Sequence, residues 1–344
     1  LVILTGGGTG GSVSPLLAVA ERLAERGFEL AWIGTRGGVE EEMVAGAKIA
    51  YHGITAGKWR RYFSLANVID PFKIAIGFFQ ALALLMKLKP RAVVTAGGFV
   101  SVPVVWAAWA LHVKILVHQQ DLRPGLANRL MAPLADTVTV TFEKSLSDYG
   151  AKAVLTGNPI RREFREAVSA EVPLPVTKRI LVLGGGTGSQ ALNALVRESL
   201  PELRRFAAVS HVTGKNLFEG VAEAENYRPY PFVDVATMAK EMKEADIVVT
   251  RAGLGTLTEL SYLAKPTLII PMPASHQEDN ARYFEEHGAA TVLRQDGLDA
   301  ASFVKALKDL LCDGDTRLRL SQRIGAIMKQ GADERLAELV SKFD

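Results

Sequence analysis

The chain has 344 residues, 48% of them apolar, and a formal net charge of +3, which suits two domains with sizeable cores better than one. Its single cysteine, Cys312, excludes an internal disulfide framework and fits a reducing cytoplasm, and no His/Cys cluster has metal-ligand spacing, so no metal is expected. No stretch of about 20 residues is free of charge and the chain opens directly on a strand pattern, so neither a transmembrane helix nor a signal peptide is expected.

The charge is uneven. Residues 1–157 carry 16 Lys+Arg against 11 Asp+Glu, a net +5, whereas residues 158–344 carry 24 against 26, a net −2. The first half is therefore the one expected to meet an anionic surface, with no nucleic acid among the partners.

The first strand pattern, Val2-Ile3-Leu4, runs into Gly6-Gly7-Gly8-Thr9-Gly10-Gly11 and then into helical spacing from Leu16 to Leu23. A strand that turns on glycines into a helix presents backbone N–H groups and the positive end of the helix dipole, which suits phosphate. The loop also satisfies Gly-x-Gly-x-x-Gly. The acidic residue expected after the next strand, Leu30-Ile33, is missing. Arg36 stands there instead, which keeps an NADP reading open.

Lys58 to Phe63 is a basic and aromatic run, and Phe72 to Leu88 is strongly apolar, with Lys73, Lys87 and Lys89 on it or beside it. The pair suits an anionic membrane surface, although most of the apolar stretch reads as a helix buried against the sheet. Strands follow at Ala92-Thr95, Lys114-His118 and Thr137-Val140. Gly97-Gly98-Phe99-Val100-Ser101-Val102-Pro103 and His118-Gln119-Gln120-Asp121 lie just after two of them, where ligands of doubly wound sheets bind. His118 alone fits a satisfied core histidine equally well. A boundary falls near Thr156-Gly157-Asn158-Pro159, dividing the chain into 1–157 and 158–330.

The second half repeats the pattern. Ile180-Leu181-Val182-Leu183 leads into the same pentapeptide at Gly184 to Gly188 and into helical spacing from Leu192 to Leu200. Further strands are expected at Ala207-Val212, Ile247-Thr250, Thr267-Ile270 and Ala290-Val292. The alternation predicts two doubly wound, Rossmann-like α/β domains with parallel sheets, facing across a cleft. A third glycine turn, Gly253-Leu254-Gly255, opens a helix carrying Thr256 and Glu259. Thr256 and the free N–H groups suit a diphosphate. Glu259 suits a vicinal diol, or is simply a first-turn carboxylate favoured by the dipole. Gln277 and Asn280 share a helix face, as sugar-reading amides or as polar residues of a solvated helix. A last helix, about Thr316 to Phe343, has a weak point at Gln330-Gly331, from which residues 331–344 can return to the first domain.

Together these motifs resemble the MurG family of bacterial N-acetylglucosaminyltransferases, of the glycosyltransferase-B fold. The resemblance covers essentially the whole chain, adding Gly125-Leu126-Ala127-Asn128, Gly157 to Arg161 and His211-Val212-Thr213-Gly214 to the segments above. It implies inverting, metal-independent transfer of N-acetylglucosamine from UDP-N-acetylglucosamine to lipid I, giving lipid II for peptidoglycan. The place implied is the cytoplasmic face of the bacterial membrane, and no cofactor is needed. It assigns Phe232 and Val233 to the uracil, Glu259 to the ribose, and Gly253, Leu254, Gly255 and Thr256, helped by Arg161, to the diphosphate. Gln277 and Asn280 go to the sugar, and Thr9, Gly10, Gly11, Gly186, Thr187 and Gly188 complete the donor set. Gly7, Gly8, Gly98, Ser101, His118 and Asn128 form the acceptor set.

Three positions depart from the family pattern. Ser12 stands for its histidine, Gln119 for its glutamate, and Gly186, with Thr187 beside it, for the serine of the second loop. Neither a serine hydroxyl nor an amide serves as a general base at neutral pH. Three readings remain: Asp121 is the base, the family histidine mainly positions the acceptor, or the chain is weakly active. Alternatives of another class are a related UDP-sugar transferase or epimerase and a noncatalytic nucleotide-sugar-binding module.

Overall fold

The computed structural model describes residues 1–8, 10–57, 66–169, 177–185, 188–218 and 222–343, with backbone alone at 66–69. The chain divides into two compact units: Leu1–Arg161 with Lys329–Asp344, and Arg162–Met328.

The first unit is a seven-stranded, all-parallel sheet of order β3-β2-β1-β4-β5-β6-β7. Its strands are β1 (Val2–Thr5), β2 (Leu30–Thr35), β3 (Ala50–Ile54), β4 (Ala92–Thr95), β5 (Lys114–Gln119), β6 (Thr137–Val140) and β7 (Ala153–Leu155). Helices α1 (Gly10–Glu25), α2 (Val39–Ala45), α3 (Ala66–Leu88), α4 (Ser101–Ala110) and α5 (Leu126–Met131) connect them. Central strands such as β1 and β4 are buried along their length, as a sheet covered on both faces requires. One core packs the sheet against α3 and α4; another packs its opposite face against α1.

The second unit is a six-stranded parallel sheet of order β10-β9-β8-β11-β12-β13. Its elements, in chain order, are α6 (Arg162–Ser169), β8 (Arg179–Leu183), α7 (Gln190–Leu203), β9 (Ala208–Val212), β10 (Tyr227–Tyr230), α8 (Val235–Glu244), β11 (Ile247–Thr250), α9 (Leu254–Tyr262), β12 (Thr267–Ile269), α10 (Gln277–Glu286), β13 (Thr291–Val292), α11 (Ala300–Cys312) and α12 (Gly314–Ala326). In each sheet the strand order reverses beside the first strand, between β1 and β4 and between β8 and β11. That switch point, at the carboxyl ends of the strands, is where such sheets bind ligands.

After α12 the chain turns at Gly331, whose φ is 75°, and α13 (Ala332–Ser341) packs on α1. Asp333, almost fully buried, accepts from Arg22 Nε at 2.7 Å, and Leu336, Ala337 and Val340 join the core around β1. The expected helix from Thr316 to Phe343 is therefore two helices.

Three strands lie outside those expected from the sequence: β3 and β10, which are broken by polar residues, and β7, an apolar run of three residues. All three are edge strands, half covered, and β10 carries Pro229, which an edge tolerates. The expectation that most of Phe72 to Leu88 is buried is also corrected. Only 17% of the apolar window within Asp70–Leu88 is buried; Ala81 and Leu85 face the sheet, while Phe72, Ile76, Phe79 and Met86 are exposed. By length and composition this helix is apolar enough to cross a membrane, despite its lysines. The basic run Lys58 to Phe63 lies outside the described residues.

Candidate functional site

In the first unit the loops after β1, β4 and β5 meet. Gly98, at φ 98°, lies so close to the first loop that a Cβ there would sit 2.5 Å from the Gly7 carbonyl oxygen. Ser101 is fully buried and its hydroxyl donates to the Gly97 carbonyl at 3.0 Å, tying α4 to this turn. Ser12, in the first turn of α1 and 8% exposed, donates to the Gly7 carbonyl at 3.2 Å. Gly8, Gly10 and Gly11 are exposed, and Thr9 lies outside the described residues.

The segment after β5 is held by a buried polar knot. His118 is fully buried. Its Nε2 lies 2.8 Å from Asn158 Oδ1, an acceptor, so Nε2 carries the proton and Nδ1 accepts from the Thr139 hydroxyl at 2.9 Å. Burial pushes its pKa down to about 4, so the ring is neutral. Gln119, 1% exposed, donates through Nε2 to the carbonyls of Asp121 (2.6 Å) and Arg123 (3.2 Å). Its Oε1 accepts from Asn128 Nδ2 (2.7 Å) and the Tyr149 hydroxyl (3.1 Å). Asn128 gives its second amide hydrogen to the His118 carbonyl, and its buried Oδ1, beside Gly97, has no donor among the described residues.

These contacts show where the residues of the expected acceptor and catalytic sets stand. The side chains of Ser101 and His118 are turned into the domain and fully bonded there, so they shape the site without presenting a group to an acceptor. Gln119 likewise positions the loop that carries Asp121. Asp121 itself is half-buried at the end of this loop.

A residue missed by the sequence reading stands at the first loop. Glu40, in the first turn of α2, is fully buried. Its Oε2 accepts from Gly8 N–H at 3.2 Å and its Oε1 from Thr35 N–H at 2.7 Å. The acidic residue sought directly after β2 is thus present five residues further on, against the glycine loop instead of exposed to a ribose. Its signal in the sequence was only one of three consecutive glutamates, Glu40 to Glu42.

In the second unit the matching loop leads to Ser189, the N-cap of α7, which accepts from Leu192 N–H. Arg251, at the end of β11 and 8% exposed, reaches the same hydroxyl through Nη2 (2.6 Å) and Nε (3.2 Å). Its other bonds go to the carbonyls of Ile270 (2.9 Å) and Pro271 (3.2 Å) and to Gln295 Oε1 (2.7 Å). Among the described residues every partner is neutral, and burial pushes the guanidinium pKa down. Arg251 is the second residue the sequence reading missed; its position just past an apolar strand, before a glycine turn, was the available signal.

Around it lie Gly188, half-buried, and the turn Gly253, Leu254, Gly255, Thr256 opening α9, whose Glu259 is 9% exposed. Gly186 and Thr187 lie outside the described residues. Phe232 is 56% exposed with Lys215 Nζ 4.8 Å from its ring centre, while Val233 is buried. Gln277 opens α10 and accepts from Met272 N–H at 3.0 Å. Asn280 is fully buried with its amide on the Ala252 carbonyl at 3.1 Å, so it braces the α9 turn instead of facing a sugar. Arg161 is half-buried and ends the first stretch of the first unit. His211 forms a second buried knot: Nε2 with Asn193 Oδ1 and Nδ1 with the Tyr227 hydroxyl, both 3.0 Å, its pKa lowered to about 4 by burial. Among the described residues no His, Cys, Asp and Glu cluster is placed to hold a metal ion.

Residues 2–140 match the glycosyltransferase family 28 N-terminal domain, and residues 179–335 match its C-terminal domain. The chain is 38% identical over 356 residues to the UDP-N-acetylglucosamine–N-acetylmuramyl-(pentapeptide) pyrophosphoryl-undecaprenol N-acetylglucosamine transferase of Clostridium kluyveri, covering 99% of both chains. It superposes on the crystal structure of Acinetobacter baumannii MurG with a TM-score of 0.76 at 24% identity, covering 99% of each. A UDP-N-acetylglucosamine 2-epimerase shares the fold alone, with a TM-score of 0.70 at 15% identity over 98% of this chain and 95% of that one.

Proposed function

The chain belongs to glycosyltransferase family 28, with two Rossmann-like domains of the glycosyltransferase-B fold, and on that premise we propose that it transfers N-acetylglucosamine from UDP-N-acetylglucosamine to lipid I, inverting the anomeric centre and forming lipid II for peptidoglycan. The observation that carries this reading is Arg251. A buried guanidinium bonded, among the described residues, only to neutral groups leaves positive charge between the N-terminal ends of α7 and α9. Charge and N–H groups so arranged favour the diphosphate that leaves as UDP, without a metal ion.

In this reading the second unit takes the donor. Phe232 stacks on the uracil, Glu259 accepts from the ribose diol, Gly188, Gly253, Leu254, Gly255 and Thr256 meet the diphosphate with Arg161, and Gln277 meets the sugar. The first unit takes the acceptor: Gly10 and Gly11, which the resemblance placed in the donor set, contact it in this reading, the buried Asn128 shapes the site from below, and Asp121, on the loop clamped by Gln119, removes the proton from the attacking hydroxyl. The exposed face of α3, with Phe72, Ile76 and Phe79 and the flanking lysines, rests on the anionic cytoplasmic surface of the membrane.

Incubation with UDP-N-acetylglucosamine and a lipid I analogue tests the reaction. The expected products are UDP and the disaccharide lipid in equal amounts; no transfer by wild type or by Ser12→His overturns the proposal. Sedimentation with phosphatidylglycerol vesicles tests the surface, with binding lost in Phe79→Asp. Equal binding to zwitterionic vesicles sinks the electrostatic part.

A further inference from the structure

We propose that Glu40 is the resident anion of the first glycine loop. It occupies the deep end of the loop's anion site, excludes a free diphosphate from it, and so restricts the acceptor's diphosphate to the outer N–H groups of Gly10 to Ser12.

The geometry behind this is specific. Glu40 is fully buried, yet among the described residues it has no ion-pair partner. A carboxylate taken out of water needs hydrogen bonds, and Glu40 obtains them from backbone N–H groups: Gly8 of the glycine loop and Thr35 at the end of β2. Gly8 N–H is one of the donors that a dinucleotide loop offers to phosphate. The space is also filled. A Cβ at Gly7 would overlap the Glu40 carboxylate, and one at Gly38 would come within 2.6 Å of it. At both glycines the space a Cβ would take is filled by a protein carboxylate. The Tyr51 hydroxyl, donating to the Thr35 carbonyl at 2.6 Å, is pushed to a higher pKa by its burial and by the Glu40 charge. The site is thus negative already, and a second anion at Gly8 meets both a clash and like-charge repulsion. This also removes the NADP reading of the loop: its pyrophosphate place is taken.

The proposal refines the acceptor half of the function proposed above, and its first test needs no transferase activity. The probe is inorganic pyrophosphate, titrated calorimetrically into the full chain saturated with UDP, so that the second unit is occupied. Wild type is expected to bind pyrophosphate weakly, at the outer N–H groups alone, and Glu40→Gln and Glu40→Ala to bind it about 10-fold tighter or more, as Gly8 N–H joins the site. In the transfer assay, Glu40→Gln is expected to lower kcat and the acceptor KM together by about 10-fold, as the acceptor seats nonproductively, with the donor KM unchanged, and pyrophosphate is expected to compete with the acceptor. A Glu40→Gln chain with a lowered Tm but an unchanged acceptor KM and an unchanged pyrophosphate Kd makes Glu40 a packing residue and overturns the proposal. Equal pyrophosphate affinity in UDP-saturated wild type and Glu40→Ala overturns it equally.

Discussion

The two copies of Gly-Gly-Gly-Thr-Gly sit at the same switch point of two similar sheets, and opposite charges are buried beside them. At the first copy the Glu40 carboxylate takes Gly8 N–H. At the second, the Arg251 guanidinium holds Ser189 at the start of α7. One pentapeptide therefore serves two electrostatic purposes, decided by a residue outside it. The loop supplies geometry and N–H groups; the neighbouring charge decides whether an incoming diphosphate is repelled or received.

The comparison breaks most visibly at Arg251. Arg251→Met is expected to lower kcat/KM for the donor by about 10²–10³-fold, the scale of losing a preorganised charge at a leaving group. Arg251→Lys does not restore it, because an ammonium cannot bond Ser189, two carbonyls and Gln295 together. Kinetics at saturating acceptor check both. Unchanged donor kinetics would make the charge difference between the loops incidental.

What the units share is tested by pH. His118 and His211 are both neutral, buried and lowered to about 4. An unfolded histidine takes up its proton near pH 6.5, well before the folded one does, so the unfolded state binds more protons between these values. The stability from each histidine is complete above about pH 6.5 and is lost as pH falls towards 4, on the order of 1–3 kcal/mol each. Urea titrations across pH 4 to 7 check this. His118→Gln is expected to flatten part of the slope, and a stability that rises on acidification contradicts it.

Glu259→Gln sharpens the donor side. Loss of a charged acceptor for the ribose diol is expected to raise donor KM by about 10-fold, and to remove the preference for UDP over 2′-deoxy-UDP measured by calorimetry. The smallest effect concerns Gln119→Glu. It places a carboxylate against the Asp121 and Arg123 carbonyls in a buried site, which is expected to cost about 1–2 kcal/mol of stability by urea denaturation. Restoring the family's glutamate thus disturbs the Asp121 loop instead of supplying a base.

Most of the central architecture was legible because buried parallel strands such as Ile247–Thr250 are short apolar runs ending at glycine turns. The edge strand β13 was legible too, but β3 and β10 were not, since they carry polar residues on a half-covered surface. The glycine loops were legible as loops, but their electrical sign was not. Glu40 and Arg251 lie 32 and 62 residues from the backbone or side chain they bond, and only the folded sheet brings them together. The same distance effect hid the duties of His118, whose partner Asn158 is 40 residues away, and of Asn280, whose amide is spent on Ala252. In each case the motif named the neighbourhood of the site, and packing decided which way the side chain turned.

The central claim is that the second loop, and not the first, receives the nucleotide diphosphate. A crystal structure of the chain with UDP-N-acetylglucosamine tests it most directly. The account predicts the diphosphate at the N-terminal ends of α7 and α9 beside Arg251, with Gly8 N–H still bonded to Glu40. A diphosphate seated on Gly7 and Gly8, with Glu40 displaced, would contradict it.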